Sequence, residues 1–145
     1  MVNYIDKIII LIGGYDPDDK LVFKTVEVFD IGQNSWRAGP ELNQQRYDNS
    51  SCAIGHRIYT FGGFKESKLV KSNLINSMEW IDGSELAAGG SPQWETIDFI
   101  SEQGAISPRF NHIMRHISGD TILIAGGWDS DFCGDWFMVD MLSSI

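Results

Sequence analysis

The chain has 145 residues, of which 43% are apolar, and carries a formal net charge of −9. A chain of this length and apolar content can bury a hydrophobic core. The negative charge disfavours nucleic acid and anionic membrane surfaces as partners, since both attract basic proteins. No apolar run reaches the roughly 18 residues that a membrane-spanning helix needs.

Three short apolar runs end in a Gly-Gly doublet: Ile8–Gly14, Arg57–Gly63 and Thr121–Gly127. They are rich in isoleucine and bounded by Gly, Asp and Asn, which is typical of β-strands. Two of them, IIILI and TILIA, are continuously apolar and predict strands covered on both faces. The doublet glycines are Gly13, Gly14, Gly62, Gly63, Gly126 and Gly127.

Further repeated residues follow the doublets in the same order. A strand-like segment ending in aspartate comes first, and in the first unit (Thr25–Asp30) apolar and polar residues alternate. A tryptophan then follows the first two doublets. The strand-ending aspartates are Asp30, Asp82 and Asp140, and the tryptophans are Trp36 and Trp94.

An arginine precedes the second and third doublets at a nearly constant distance. Arg46 lies 17 residues before Gly63, and Arg109 lies 18 residues before Gly127. Constant length indicates packed structure, whereas the segments after the doublets vary in length and predict exposed loops.

Each unit therefore predicts four short antiparallel strands in about 50 residues, the first of them starting at the arginine, which describes a propeller blade. We expect blades at about residues 1–40, 46–98 and 109–145, the last without its final strand. The fold class is all-β, an incomplete propeller of two to three four-stranded antiparallel blades.

The repeated glycines and tryptophans have physical explanations. A glycine pair after a buried strand lets the chain turn with positive φ and lets neighbouring backbone approach closely. One tryptophan per unit offers a large surface that can wedge between adjacent sheets. A further doublet, Gly89-Gly90, follows no apolar run, and we interpret it as part of a flexible insertion.

These residues resemble the kelch repeat family over nearly the whole chain. Its pattern of an arginine, an apolar strand with tyrosine, a glycine pair, an aspartate-ended strand and a tryptophan is matched by Arg46, Ile58-Tyr59, Gly62-Gly63, Asp82 and Trp94. Isoleucine or leucine stands where the family often has tyrosine in the other two units. The resemblance implies a kelch-type β-propeller, which needs about six blades to close its ring.

Two and a fraction blades cannot close such a ring, and the flat apolar faces of the end blades favour association. We expect either a fragment of a longer propeller, which we favour, or a homo-oligomer that completes the ring.

Two metal motifs have structural interpretations that we favour. His112 and His116 lie four apart on a predicted strand, which separates them by about 13 Å, too far to share one zinc ion. The segment Asp129–Asp135 has acids at the first and third positions and Gly134 at the sixth, like a calcium loop, but Cys133 stands at the fifth. We predict no metal site and leave open whether this loop binds a cation.

No nucleophile elbow, phosphate loop or dinucleotide fingerprint is present, so we predict neither catalysis nor a cofactor. The alternatives are a propeller enzyme, such as a copper oxidase using tyrosine and histidine ligands or a carbohydrate-directed enzyme, and a self-assembling structural propeller. The four tyrosines and three histidines show no spacing that selects among them.

The resemblance implies a protein-interaction module whose blade-opening arginines lie at the mouth of the central channel, where some family members contact acidic peptides. A guanidinium can clamp a carboxylate through two parallel hydrogen bonds; the alternative is that the arginines brace neighbouring loops. The candidate rim residues are Arg46, Tyr47, Arg109, Phe110 and Asn111. Two cysteines form no disulfide framework and no signal peptide is recognisable, so we expect a cytoplasmic protein.

Overall fold

The computed structural model describes residues 1–98, 101 and 104–141. Its strands form three antiparallel sheets in chain order, with one small hairpin between the second and third strands of the first sheet. The first sheet contains β1 (Val2–Tyr4), β2 (Ile8–Ile12), β5 (Val26–Asp30) and β6 (Ser35–Ala38), and the hairpin contains β3 (Tyr15–Asp16) and β4 (Leu21–Val22).

The second sheet has four strands, and the third has three among the described residues. The second contains β7 (Ser50–Ile54), β8 (Arg57–Phe61), β9 (Met78–Asp82) and β10 (Glu95–Ile97), and the third contains β11 (Ile113–Ser118), β12 (Thr121–Ala125) and β13 (Trp136–Asp140). The all-β fold class of antiparallel blades is confirmed. We call the sheets blades 1, 2 and 3.

Two hydrophobic clusters hold neighbouring blades together. Between blades 1 and 2, Ile8, Ile10 and Val28 pack against Ile58 and Ile81, all at most 1% exposed. Between blades 2 and 3, a second cluster contains Tyr59, Phe61 and Met78 from blade 2 and Ile122, Ile124 and Val139 from blade 3. Since side chains alternate along a strand, blade 2 contributes one face to each cluster.

The continuously apolar strands are covered on one face only, so the prediction of two covered faces is wrong for this chain. In β2, Ile8, Ile10 and Ile12 are buried whereas Ile9 and Leu11 are half-buried, and β12 repeats this alternation. The reason is that blades 1 and 3 each have one neighbouring blade in the structure.

The strands that follow the arginines begin later than predicted. Arg46 precedes β7 and Arg109 precedes β11 by four residues each. The intervening residues include Asp48 and Asn111, which adopt φ of 55° and 52° and therefore cannot continue a strand.

The tryptophan wedge is confirmed at Trp94, which is 4% exposed, lies in the cluster between blades 1 and 2, and donates its Nε1–H to the Pro40 carbonyl at 2.9 Å. Trp36 remains 54% exposed and contacts Phe29 at a centroid distance of 5.0 Å.

The segment around Gly89-Gly90 includes a short helix that the sequence reading missed. Helix α1 (Gly83–Ala87) begins at Asp82, whose carboxylate accepts the Glu85 amide at 2.9 Å. Its Leu86 is fully buried between blades 1 and 2. The strand-ending aspartate of blade 2 therefore also serves as a helix cap.

Candidate binding surface

The glycine doublets and the arginine segments meet at one end of the arc. In an antiparallel pair, the residue after one strand lies beside the residue before its partner. Tyr47 and Phe64 accordingly exchange backbone hydrogen bonds of 3.1 and 2.9 Å, and Phe110 and Trp128 exchange two of 3.0 Å. We call this end, with the loops that follow the doublets and the segments that contain the arginines, the doublet end.

The doublet of blade 2 has room for hydrogen only. A Cβ on Gly62 would lie 2.5 Å from the Arg109 carbonyl oxygen, and one on Gly63 would overlap the carbonyl oxygen of Tyr47. Both glycines also have positive φ, 72° and 85°. Glycine is therefore required here both for conformation and for space.

The doublets also fasten each blade to the next. Gly14 donates its amide to the Arg46 carbonyl at 2.9 Å, and Gly63 donates to the Arg109 carbonyl at 2.8 Å. In blade 3, a Cβ on Gly126 would meet no atom closer than the Cys133 oxygen at 3.9 Å. Among the described residues, the first glycine of the doublet is thus crowded only where a following blade packs against it.

Arg46 is fully buried and bound within blade 2. Its Nη2 contacts Glu79 Oε1 at 2.7 Å, both side chains being 0% exposed, and its Nη1 donates to the Gly62 carbonyl at 3.1 Å. Glu79 also accepts the backbone amides of Asn43 and Gln44 at 2.7 and 3.1 Å. The pair holds the arginine segment against β9 and the doublet.

Arg109 makes the corresponding contacts in blade 3. Its guanidinium pairs with both oxygens of Asp135 at 2.8 and 3.2 Å and donates to the Gly126 carbonyl at 3.0 Å. The Arg109 side chain is 0% exposed, whereas that of Asp135 is 50% exposed. The hydrogen bond from Arg109 lowers the pKa of Asp135 below its ordinary value, which keeps the carboxylate ionised.

Sequence reasoning missed the two acids because their position changes between blades. Aligned on their final aspartates, Asp135 takes the place of Ser77, which also contacts Arg46, and Phe137 takes the place of Glu79. Phe137 lies beneath the Arg109 guanidinium, 5.2 Å from ring centroid to Cζ. A search for an acid either three or five residues before the strand-ending aspartate would find both Glu79 and Asp135.

The structure therefore places both arginine side chains inside the blades, bonded to acids of their own blade, rather than open to solvent at a channel mouth. Their immediate neighbours along the chain differ in exposure. Asn111 is exposed, Phe110 is half-buried, and Tyr47 is 8% exposed with its ring in an aromatic cluster.

An aromatic row crosses the doublet end from blade 1 to blade 3. Consecutive centroid distances are 4.9 Å from Tyr15 to Tyr47, 5.5 Å from Tyr47 to Phe64 and 4.6 Å from Phe64 to Phe110. Trp128, paired with Phe110 through the backbone, adds the last member. Each member directly follows a doublet or an arginine, so the repeat itself builds the row.

Polar residues line the aromatic row. Asp48 and Asn111 follow Tyr47 and Phe110, are exposed, and adopt left-handed conformations that aspartate and asparagine tolerate better than most residues. The Asn111 amide donates to the Asp48 carbonyl at 3.1 Å, which joins blades 2 and 3 at the rim.

A groove of about 310 Å³ opens between the loops of blades 2 and 3 at this end. Phe64, Leu69, Val70 and Lys71 line it from blade 2, and Phe110, Trp128, Asp129 and Ser130 line it from blade 3. A larger hollow of about 480 Å³ is lined by residues of β1, β7 and β11, the first strands of the three blades.

His112 and His116 lie in different environments, so they do not form a pair. His112 is 6% exposed and packs edge-on to Phe61 at 5.3 Å, and neither ring nitrogen has a hydrogen-bond partner among the described residues. Burial and the nearby Arg109 charge lower its pKa to about 4. His116 is exposed and its Nε2 contacts the Gly119 carbonyl at 2.8 Å.

The carboxylates of Asp129 and Asp135 both accept hydrogen bonds from groups of blade 3. Asp129 Oδ1 accepts the amides of Ser130 and Asp131 at 2.6 and 3.2 Å, while Asp135 pairs with Arg109. Within the described part of the chain, no three or more potential ligand side chains converge on a point where a metal ion could bind.

Comparison with known proteins also points to kelch repeats. A model of the kelch motif matches residues 2–43, which cover blade 1. A human protein named "Multiple epidermal growth factor-like domains protein 8" is 22% identical over 140 residues, or 85% of this chain and 5% of the relative. An F-box/kelch-repeat protein of Arabidopsis thaliana is 21% identical over 128 residues, or 83% of this chain and 35% of the relative.

A Dictyostelium discoideum protein named "Probable serine/threonine-protein kinase" is 32% identical over 97 residues, or 67% of this chain and 6% of the relative. The chain thus spans a small part of the relatives it matches, from 5% to 35% of their lengths. None of the helices in the described ranges is long and apolar enough to cross a membrane.

Proposed function

We propose that this chain, whose residues 2–43 match the kelch motif, is a protein-interaction module without catalysis or a cofactor. It binds a protein partner through the loops of its doublet end. The aromatic row that joins Tyr15, Tyr47, Phe64 and Phe110 across three blades carries this proposal. Aromatic residues are enriched at the centres of protein interfaces, where they combine a large apolar area with few rotatable bonds.

The row lies on a rigid base, which favours binding. The buried Arg46–Glu79 pair, the half-exposed Arg109–Asp135 pair and the doublet hydrogen bonds hold the segments that carry Tyr47 and Phe110. Little conformational entropy therefore remains to be lost when a partner binds. Asp48 and Asn111 supply the polar rim that surrounds an apolar interface centre. The candidate rim is therefore Tyr47, Phe110, Asn111 and Asp48, with Arg46 and Arg109 positioning it from below.

The groups whose pKa is strongly shifted have structural explanations for the shift, which supports a role without catalysis. His112 is buried beside Phe61 and near the Arg109 charge, which together account for its lowered pKa. Burial raises the pKa of the Cys52 thiol to about 12, the opposite of what a reactive cysteine needs. Cys52 and Cys133 are both buried and unpaired, as is typical of proteins in a reducing compartment, so the proposal includes a cytoplasmic location.

The proposal also includes the limits of the units. We propose blades at about residues 1–40, 46–98 and 109–145. In a ring, the faces of blades 1 and 3 that point away from blade 2 would be covered by further blades or by a second copy of the chain.

The test is affinity capture with the purified protein from a lysate of its source organism. The variant Asp48→Gly with Asn111→Gly trims two rim side chains but keeps their left-handed backbone, and we expect it to lose the partner. The matched control is Asn34→Gly, which has φ of 51° at the β5–β6 turn, the opposite end of blade 1. Equal retention by wild type and both variants would contradict the proposal.

A further inference from the structure

The groove between blades 2 and 3 combines an apolar floor with two walls of opposite charge. Phe64, 3% exposed, and Phe110 form part of the floor, and Trp128, 48% exposed, stands at its side. Lys71 lies on the blade 2 wall and Asp129 on the blade 3 wall. The volume of about 310 Å³ suits one or two side chains rather than a whole folded domain.

Both walls are held in place without a ligand. On blade 2, Asn73 is 7% exposed and donates its side-chain amide to the Lys68 carbonyl at 3.0 Å, while its own carbonyl accepts the Lys65 amide at 2.9 Å. On blade 3, Cys133 donates its amide to the Gly127 carbonyl at 2.9 Å, and Asp129 closes its local turn. The groove is thus formed in advance of binding.

A weak ion pair crosses the groove. Lys71 Nζ and Asp129 Oδ2 are 3.8 Å apart, and their side chains are 62% and 22% exposed. A long ion pair with one largely exposed partner contributes little to stability, so the two charges can be exchanged for those of a ligand at small cost. A ligand that pairs with both must bring an acid to Lys71 and a base to Asp129.

We propose that this groove binds a short extended peptide segment of a partner protein in which a large apolar residue stands between an acidic and a basic residue. The apolar residue fills the space beside Phe64, Phe110 and Trp128, and the two flanking charges replace the Lys71–Asp129 pair. This inference rests on the proposed function and names the chemistry of the partner at one part of the doublet end.

The test begins with random heptapeptides displayed on phage, selected on the immobilised whole chain. We expect the recovered sequences to share an acid, an apolar residue and a base. A synthetic peptide of the recovered sequence, labelled with fluorescein, then gives affinities by anisotropy. Trp128→Ala should weaken binding about tenfold or more, as for a central aromatic anchor, whereas the exposed control Trp36→Ala should leave it unchanged.

The charges are tested by pairing variants with altered peptides. Asp129→Asn keeps an oxygen that can accept the Ser130 amide, so the turn survives while the charge is lost. This variant should bind the peptide that carries the base more weakly, but should bind as the wild type does when glutamine replaces that base. Lys71→Gln should likewise lose affinity only for a peptide that carries the acid. Binding that responds to neither substitution, or recovered sequences without the two charges, would overturn the inference.

Failure here is distinguishable from failure of the proposed function. Peptides that depend on Asp48 and Asn111 but not on Trp128 would overturn the groove inference and leave the doublet end as the binding surface. Peptides that depend on none of these residues would count against both.

Discussion

Gly62 shows how a single residue in this chain serves the backbone of two blades. It lies at the end of β8 with φ of 72°, its carbonyl accepts from Arg46, and a Cβ would reach the Arg109 carbonyl of the next blade. The doublets stand out in the sequence because no other residue satisfies both demands. For this reason the glycine doublets are the most informative motif in the sequence.

Replacing Gly62 with alanine should destabilise the protein much more than the same change at Gly55. Both glycines have positive φ. A Cβ on Gly55 would have no atom of the described residues within 4 Å, whereas a Cβ on Gly62 would lie 2.5 Å from the Arg109 carbonyl oxygen and 2.7 Å from His112 Cε1. We expect Gly55→Ala to lose about 1 kcal/mol for the left-handed backbone alone, and Gly62→Ala about 3 kcal/mol or more. Urea unfolding measures both, and equal losses would show that the close approach is unimportant.

His112 should make the protein less stable in acid. Its pKa is about 4 in the folded chain against 6.5 as the ordinary value, because burial and the Arg109 charge disfavour the protonated ring. The unfolded chain therefore binds a proton that the folded chain does not, and stability falls as the pH drops from about 6.5 toward 4. The full effect is up to about 3 kcal/mol.

The measurement is the free energy of unfolding across that pH range, with His112→Leu as the variant that removes the titration. The wild-type curve should fall more steeply than that of the variant. Parallel curves would mean that His112 is not the group responsible. His116, which is exposed and has its own carbonyl contact, provides the control as His116→Leu.

At the level of the element, the strands were easier to predict than the segments that precede them. Isoleucine-rich runs between glycines specify strands locally, and the alternation predicted for Thr25–Asp30 is confirmed by the burial of Val26 and Val28 on one face of β5. The arginine segments depend on partners that are distant in sequence. Arg46 pairs with Glu79, 33 residues later, and Arg109 with Asp135, 26 residues later, and neither separation repeats.

The short helix after β9 was missed for a related reason. Five residues are too few for a hydrophobic period, and its signal is one capping aspartate that also ends a strand. Burial of Leu86 against blade 1 stabilises it, and that contact is visible only in three dimensions.

The Arg46–Glu79 pair should contribute strongly to holding the arginine segment on β9. Glu79→Gln leaves Arg46 charged and buried, so we expect a loss of about 3 kcal/mol in unfolding free energy. Asp135→Asn should lose less, because the Asp135 side chain is half exposed. The combined Arg46→Met and Glu79→Gln variant should lose less than the sum of its two single changes. Additive losses would contradict a direct interaction.

At the scale of the whole molecule, the arc has two faces that none of the described strands covers. On blade 1, Leu11 and Phe29 lie on the face opposite the one that packs against blade 2, next to exposed Trp36. On blade 3, Leu123 is on the corresponding face with Trp136, which is 57% exposed. Composition and repeat spacing could predict that such faces exist, but not which residues form them.

We expect these faces to drive concentration-dependent association of the isolated chain. Sedimentation velocity should show species heavier than the 16.3 kDa monomer, and Trp136→Glu should shift the distribution toward the monomer by placing a charge on the blade 3 face. His56→Glu, at the exposed β7–β8 turn, is the control. A single 16.3 kDa species at every concentration would contradict this prediction.

The central claim is that the doublet end, and not the flat end faces or the opposite turns, binds the partner. The five tryptophans provide a direct test, because each contributes one indole N–H signal in a proton–nitrogen correlation spectrum. On titration with the selected peptide, the Trp128 signal should shift while those of Trp36, Trp80, Trp94 and Trp136 remain in place. A spectrum in which Trp128 stays still and Trp36 or Trp136 shifts would contradict it.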